Sequence, residues 1–114
     1  MPPKRNPLNL NALQLKTLTL LQELARAAGE PAPDGADGDV LVTQLPHAHG
    51  NHFHLGNAVV MSKDATGLTN PAVYAALDRK GLTRSDAPGG VVVTAAGMGY
   101  DTGLADEILH RSDH

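Results

Sequence analysis

Residues 67–97 read Gly67-Leu68-Thr69-Asn70-Pro71-Ala72-Val73-Tyr74-Ala75-Ala76-Leu77-Asp78-Arg79-Lys80-Gly81-Leu82-Thr83-Arg84, then Ser85-Asp86-Ala87-Pro88-Gly89-Gly90, then Val91-Val92-Val93-Thr94-Ala95-Ala96-Gly97. The first run predicts a helix over residues 71–80. Asn70 stands where a side-chain oxygen caps the first backbone amides, and Pro71 occupies the first helical position, where no amide hydrogen is needed. Gly81 follows the last turn, and Leu82 lies where it can meet Leu77, the contact that accompanies a Schellman ending. Val73 and Leu77 read as inward-facing. Residues 86–90 carry the proline and glycines of a turn, Val91–Val93 reads as a strand, and the segment around Leu104, Ala105, Ile108 and Leu109 reads as a last helix.

Working upstream, Asn11 can cap a helix that runs to residue 28. Gln14 sits three residues on, and Leu10 and Leu15 occupy the two hydrophobic-staple positions. Leu13, Leu18, Leu20, Leu21, Leu24, Ala25 and Ala28 cover more than one narrow stripe, which suits either a core helix or a seam between two subunits. Gly29 and Pro31 end it. Residues 30–39 have the proline, glycine and aspartate content of an exposed loop. Val40-Leu41-Val42-Thr43 and Phe53-His54-Leu55 read as two strands of a hairpin, joined by a turn holding Pro46, Gly50 and Asn51. Residues 57–66 fit both a strand continuation through Ala58–Met61 and a short helix opening at Ser62. No internal repeat is present.

The order and spacing of the parts in residues 67–97 resemble the second half of a winged helix-turn-helix domain. In that family a glycine-containing turn leads into a recognition helix. The helix ends in a basic-Gly-Leu step, and a two-stranded wing returns to a Thr-x-x-Gly helix start. Here those parts are Gly67, helix 71–80, Arg79-Lys80-Gly81-Leu82, the wing around residues 83–94, and Thr94-Ala95-Ala96-Gly97. The match covers roughly the last half of the chain, with helix 11–28 in the role of the leading helix. Ser62, Lys63 and Thr66 stand where the family carries apolar and small residues before the turn, and residues 40–55 imply an insertion or a variant sheet.

The resemblance implies an α+β, winged-helix-like fold, with a leading leucine-rich helix, small antiparallel hairpins, a recognition-type helix, a wing and a C-terminal helix. It also implies a DNA-binding, transcription-regulator-like function in which helix 71–80 enters a major groove and the wing touches phosphates. Thr69, Asn70, Tyr74, Arg79, Lys80 and Arg84 are the nucleic-acid-binding candidates. Three have competing roles: Asn70 as a helix cap, Tyr74 as a packing residue, and Arg79 with Lys80 as a solvated helix end favoured by the dipole. Fold alone does not establish DNA binding, since winged helices also serve as protein-binding scaffolds. In that third reading the leucine-rich helix makes the contact.

Composition bounds these readings. A chain of 114 residues with 41% apolar and 18% charged residues is expected to form one domain, residues 1–114, with residues 1–8 as a flexible lead-in. Nine basic against twelve acidic residues give a net charge of −3, which excludes a uniformly basic nucleic-acid-binding body. Locally the balance reverses: residues 63–84 carry Lys63, Arg79, Lys80 and Arg84 against Asp64 and Asp78. A homodimer through helix 11–28 would double the cations facing a duplex. There is no cysteine, hence no disulfide, thiolate metal site or cysteine nucleophile, and a cytoplasmic location is the expectation. No apolar run approaches the length of a membrane span, and no signal-peptide core precedes the leucine pattern.

Four of the six histidines fall within His47-Ala48-His49-Gly50-Asn51-His52-Phe53-His54. On extended chain, residues two apart share a face, so His47 with His49 and His52 with His54 can each present paired imidazoles, with Phe53 turned to the core. Neutral imidazoles suit zinc, nickel or copper(II), which makes a metal-binding protein or small metalloenzyme the alternative function and a metal-modulated regulator a combined one. The plain reading is a polar hairpin whose histidines contact backbone and water. His110 and His114, four apart, would form a further pair if the last helix continues. No spacing ties Asp37, Asp39 or Asp64 to the imidazoles as a general base.

Overall fold

The computed structural model describes residues 6–33, 35–46, 50–56, 58–87 and 89–111. Its first helix, α1, spans Ala12–Ala28 and starts on the expected capping box. The Asn11 side chain accepts the Gln14 N–H at 2.8 Å, and Gln14 Oε1 accepts the Asn11 N–H at 3.0 Å. Every residue from Thr17 to Ala25 is buried, so this middle stretch of α1 is enclosed on all sides rather than along one stripe. Thr17 and Thr19 are accommodated there because their hydroxyls donate to the Leu13 and Leu15 carbonyls, each at 2.8 Å. Leu18, Leu20 and Leu21 are covered within the chain itself, and this stretch leaves no apolar face for a dimer seam along helix 11–28. The structure therefore supports the core alternative for this helix.

After α1 come β1 (Glu30–Pro31), β2 (Val40–Val42), β3 (His52–Leu55) and β4 (Ala58–Met61). Two 3-10 turns, Ser62–Asp64 and Thr66–Thr69, lead into α2 (Pro71–Arg79), followed by β5 (Thr83–Arg84) and β6 (Val91–Val93). The chain then forms α3 (Ala95–Gly99), α4 (Ala105–Ile108) and β7 (His110–Arg111). The strands make two antiparallel sheets, one ordered β1-β2-β6-β5 and the other β3-β4-β7. The observed class is α+β. The Cα radius of gyration, 13.4 Å, is near the roughly 13 Å of a folded chain of this length. Among the described residues, no helix is long and apolar enough to cross a membrane.

The expected hairpin between residues 40–43 and 53–55 does not form. Val40–Val42 pairs with Val91–Val93, Leu41 opposite Val92, while β3 pairs with β4, His54 opposite Val59. Partner choice was not encoded in the turn at Pro46, Gly50 and Asn51. It follows from the all-valine β6, which fits between β2 and β5, and from Gly56, whose φ of +59° supplies the left-handed position of a tight β3–β4 turn. The ambiguous residues 57–66 divide, strand to Met61 and 3-10 thereafter. Residues 30–39 do form a connector, though its ends are drawn into the β1–β2 pair.

Local punctuation elsewhere follows expectation. Asn70 Oδ1 accepts the Ala72 N–H at 3.0 Å and Pro71 opens α2. At its far end Gly81 has a φ of +75°, the Leu82 N–H reaches the Leu77 carbonyl at 3.0 Å and the Gly81 N–H reaches that of Asp78 at 3.0 Å. Leu77 and Leu82 are both fully buried in the core, beside Leu55, Val60 and Val93. The last helix is shorter than expected: α4 stops at Ile108 and His110 enters a strand opposite Val59, so His110 is not on a helix with His114, which lies outside the described residues. Residues 6–8 are also held, against the expected flexible lead-in. The Asn6 amide bonds both polar groups of Leu10's backbone, and the Leu8 N–H reaches the Tyr100 hydroxyl at 3.2 Å.

Candidate nucleic-acid interface and histidine face

The α2–β5–β6 unit is built around a single carboxylate. Asp78, in the last turn of α2, accepts the hydroxyls of Thr83 and Ser85 and the Ser85 N–H at 3.1 Å, which anchors the chain as it enters residues 85–90. On the other side, the Thr94 hydroxyl donates to the Gly81 carbonyl at 2.7 Å, and the Thr94 N–H to the Leu82 carbonyl at 3.1 Å. The same hydroxyl oxygen accepts the Gly97 N–H at 3.0 Å and so caps α3. Gly97 is required there, because a Cβ would overlap the Leu82 carbonyl oxygen. The Thr94-x-x-Gly97 spacing thus fastens α3 to the end of α2.

Each candidate contact has a defined position. Asn70 is engaged as the α2 cap. The Tyr74 hydroxyl donates to the Leu68 carbonyl at 2.8 Å, and burial pushes its phenol up to about 12 from an ordinary 10.0, since the phenolate would lose hydration. Lys80 Nζ donates to the Leu8 carbonyl at 2.6 Å. Arg84 sits 3.3 Å from Asp39 Oδ2, a carboxylate that also accepts the Ala36 N–H at 3.2 Å and the Ala95 N–H at 2.9 Å. Arg79 is exposed and has no ion-pair or hydrogen-bond partner among the described residues. With Ala72 and Ala75 it forms an exposed row on α2, spaced three and four residues apart, the helical repeat of one face, and the exposed Thr69 ends the 3-10 turn just before the α2 cap.

A shallow cleft of about 340 Å³ opens beside this row, lined by Leu45, Thr69, Pro71, Tyr74, Ser85 and Val91. Leu45 is the large hydrophobic residue exposed among the described ones. The charges near α2 are mixed: Lys63, Arg79 and Lys80 are exposed, as is Asp86, while Lys16 is paired with the buried Asp64 at 2.9 Å. Sequence reasoning missed the roles of Asp39 and Asp78. Neither stands at a motif position; the partners of Asp39 lie up to 56 residues away, and those of Asp78 lie five and seven residues on, beyond the end of α2.

The second sheet carries the histidines. His52 and His54 are two apart on β3, with ring centroids 5.0 Å apart in an edge-on arrangement. Phe53, between them, packs against the core as expected, beside the buried Leu55. His47 and His49 lie outside the described residues. No group of three or more histidine, aspartate or glutamate side chains converges as a metal cage among the described residues. Asp39 and Asp64 are committed to backbone, Arg84 and Lys16, away from these rings. Neither a family model nor a curated protein nor a solved structure matches the chain.

Proposed function

We propose that the chain is a winged-helix-type DNA-binding module. The observation that carries the reading is the strand order β2-β6-β5 with α2 running directly into β5, since this connectivity sets a helix beside a two-stranded hairpin whose described tip residues, 85–87, 89 and 90, can reach a backbone. In this reading α2 is the groove-facing helix. Base contact falls to the exposed α2 row Ala72, Ala75 and Arg79, with Thr69 just ahead of the helix, rather than to Asn70 and Tyr74, whose polar atoms serve the fold. Small side chains let a helix sit deep in a major groove, alanine can meet a thymine methyl, and arginine can pair with guanine through two hydrogen bonds. Lys80 and Arg84 are the phosphate-facing cations, and the reading carries with it a cytoplasmic location.

The net charge of −3 sets the expected strength. Each phosphate neutralised adds about 0.9 to the slope of log affinity against log salt, so the two phosphate-facing cations give a slope of roughly −2 per chain and weak non-specific binding. Fluorescence anisotropy with a labelled mixed-sequence duplex, followed between about 50 and 200 mM salt, tests it. Arg79→Ala together with Arg84→Ala is expected to weaken binding through the lost base contact and flatten the slope by about 1 through the lost phosphate contact. Wild-type protein that shows no salt-dependent association with duplex, or a double variant that binds unchanged, overturns the proposal.

A further inference from the structure

The register of the second sheet assembles a ligand set that crosses strands. Directly opposed residues of an antiparallel pair point to the same face, as do residues two apart on one strand. His52 is opposite Met61 and His54 is opposite Val59, which is in turn opposite His110. One face of β3-β4-β7 therefore carries His52, His54, Met61, Val59 and His110. The other carries Phe53, Leu55, Ala58 and Val60, with Leu55, Ala58 and Val60 buried against the core. The alternation leaves the histidine and methionine face turned outward: His54 and His110 are exposed, and His52, Val59 and Met61 are partly so.

Two imidazoles and a thioether lie within side-chain reach on this face. The His52 and His54 rings are 5.0 Å apart, and Met61 is the cross-strand neighbour of His52, where Cβ atoms approach to about 5 Å. His52 Nδ1 lies 3.4 Å from Asn51 Oδ1. A hydrogen bond to one ring nitrogen is the usual means of orienting a ligating imidazole. The thioether decides which metal. Zinc and nickel are served by imidazole, but a methionine sulfur is a soft donor that favours copper(I) over either.

We infer that the outward face of β3 and β4 binds a copper(I) ion through the imidazoles of His52 and His54 and the thioether of Met61. This set differs from the all-histidine one expected from residues 47–54, because Met61 joins it through strand pairing and not through sequence spacing. Met61→Leu is the decisive variant. It keeps an apolar side chain of similar volume in the sheet, so the fold is retained while the sulfur is lost.

Copper(I) is titrated into the full chain under ascorbate against a chromophoric chelator, with zinc titrated in parallel, and far-ultraviolet circular dichroism checks that each variant is folded. Loss even of groups that only orient a ligand costs 10- to 100-fold in metal affinity, so loss of a ligand itself is expected to cost at least about tenfold. His52→Gln and His54→Gln should each weaken copper(I) by that factor and weaken zinc as well. Met61→Leu should weaken copper(I) by a similar factor and leave zinc unchanged. Copper(I) affinity that survives Met61→Leu, or that survives replacement of both His52 and His54 because the donors lie elsewhere, overturns the assignment. DNA binding is measured on different residues, so failure of the winged-helix reading would leave this result untouched.

Discussion

Arg84 at the entrance to the β5–β6 turn lies 3.3 Å from the carboxylate of Asp39, a residue 45 positions earlier in the chain. The ion pair is half exposed on the arginine side, and such pairs contribute only about 0–1 kcal/mol. Asp39 matters more for what else it does. Its other contacts, to the Ala36 and Ala95 amides, join the connector after β1 to the start of α3.

Asp39→Ala leaves those amides without their acceptor and is expected to cost about 1–3 kcal/mol in chemical denaturation. Asp39→Asn, which retains one amide-facing oxygen, should recover part of that loss. Arg84 already counts among the phosphate-facing cations, so its release from Asp39 should tighten duplex binding and leave the salt slope near its wild-type value. Duplex affinity that is unchanged in a folded Asp39→Ala protein argues that Arg84 does not face the duplex.

Gln22 supplies a second long-range clasp. Its buried amide donates to the Gly97 carbonyl at 2.8 Å and to the Tyr100 carbonyl at 2.7 Å, holding α3 against α1. Gln22→Leu preserves much of the volume but removes both donors, and is expected to cost about 1–2 kcal/mol, because the Tyr100 carbonyl loses its side-chain donor while the Gly97 carbonyl keeps the Tyr100 N–H. Hydrogen exchange should show the loss concentrated in residues 95–100. A uniform loss across the chain would contradict this local role.

Gly97 is expected to tolerate no side chain. Gly97→Ala directs a methyl into the Leu82 carbonyl oxygen and brings it 3.0 Å from Val93 Cγ1. Neither neighbour is free to move, since both belong to the α2–β5–β6 unit, and overpacking of this kind costs about 1–3 kcal/mol. Gly67→Ala should behave alike, because its methyl would strike the Thr17 hydroxyl on the enclosed side of α1. Thermal melts of the two variants measure both effects.

Tyr74 predicts a pH dependence at the alkaline end. Its folded-state pKa is raised, to about 12 from 10.0, so the protonated phenol is the form the fold favours. The stability it contributes is fully present below pH 10.0 and is lost as pH rises towards 12. Tyr74→Phe should remove that alkaline slope, and at neutral pH should cost about 1 kcal/mol for the lost hydrogen bond to Leu68. Ultraviolet titration of the phenolate in the wild type should show one late-ionising tyrosine that is missing from the variant.

Asn11 with Gln14, Asn70 with Pro71, and Gly81 with Leu82 marked helix boundaries correctly. Each signal acts between groups within five residues of one another, so tertiary context does not need to be known to read it. The inward turn of Phe53 was readable for the same reason, since strand alternation is local. Val40–Val42 could be recognised as a strand but not matched to Val91–Val93, because valine runs specify extension and burial without naming a partner. The C-terminal segment misled in the opposite direction. Its apolar spacing suits a helix, yet six residues after Leu104, at His110, the chain is captured by the open edge of β4.

The sequence by itself determined where helices start and stop, which glycines permit turns, and that the leucines of residues 18–24 must be covered. These follow from backbone capping, allowed dihedral angles and hydrophobic burial, all properties of short stretches of chain. Only the tertiary structure decided that α1 is covered within one chain, that β6 lies between β2 and β5, and that Met61 stands beside His52. It also decided which polar groups are occupied, with Asp39 and Gln22 clasping distant backbone while Arg79 stays exposed. Donors and acceptors far apart in sequence compete for one another only after the strands have paired, and the outcome depends on positions in space that no local pattern records.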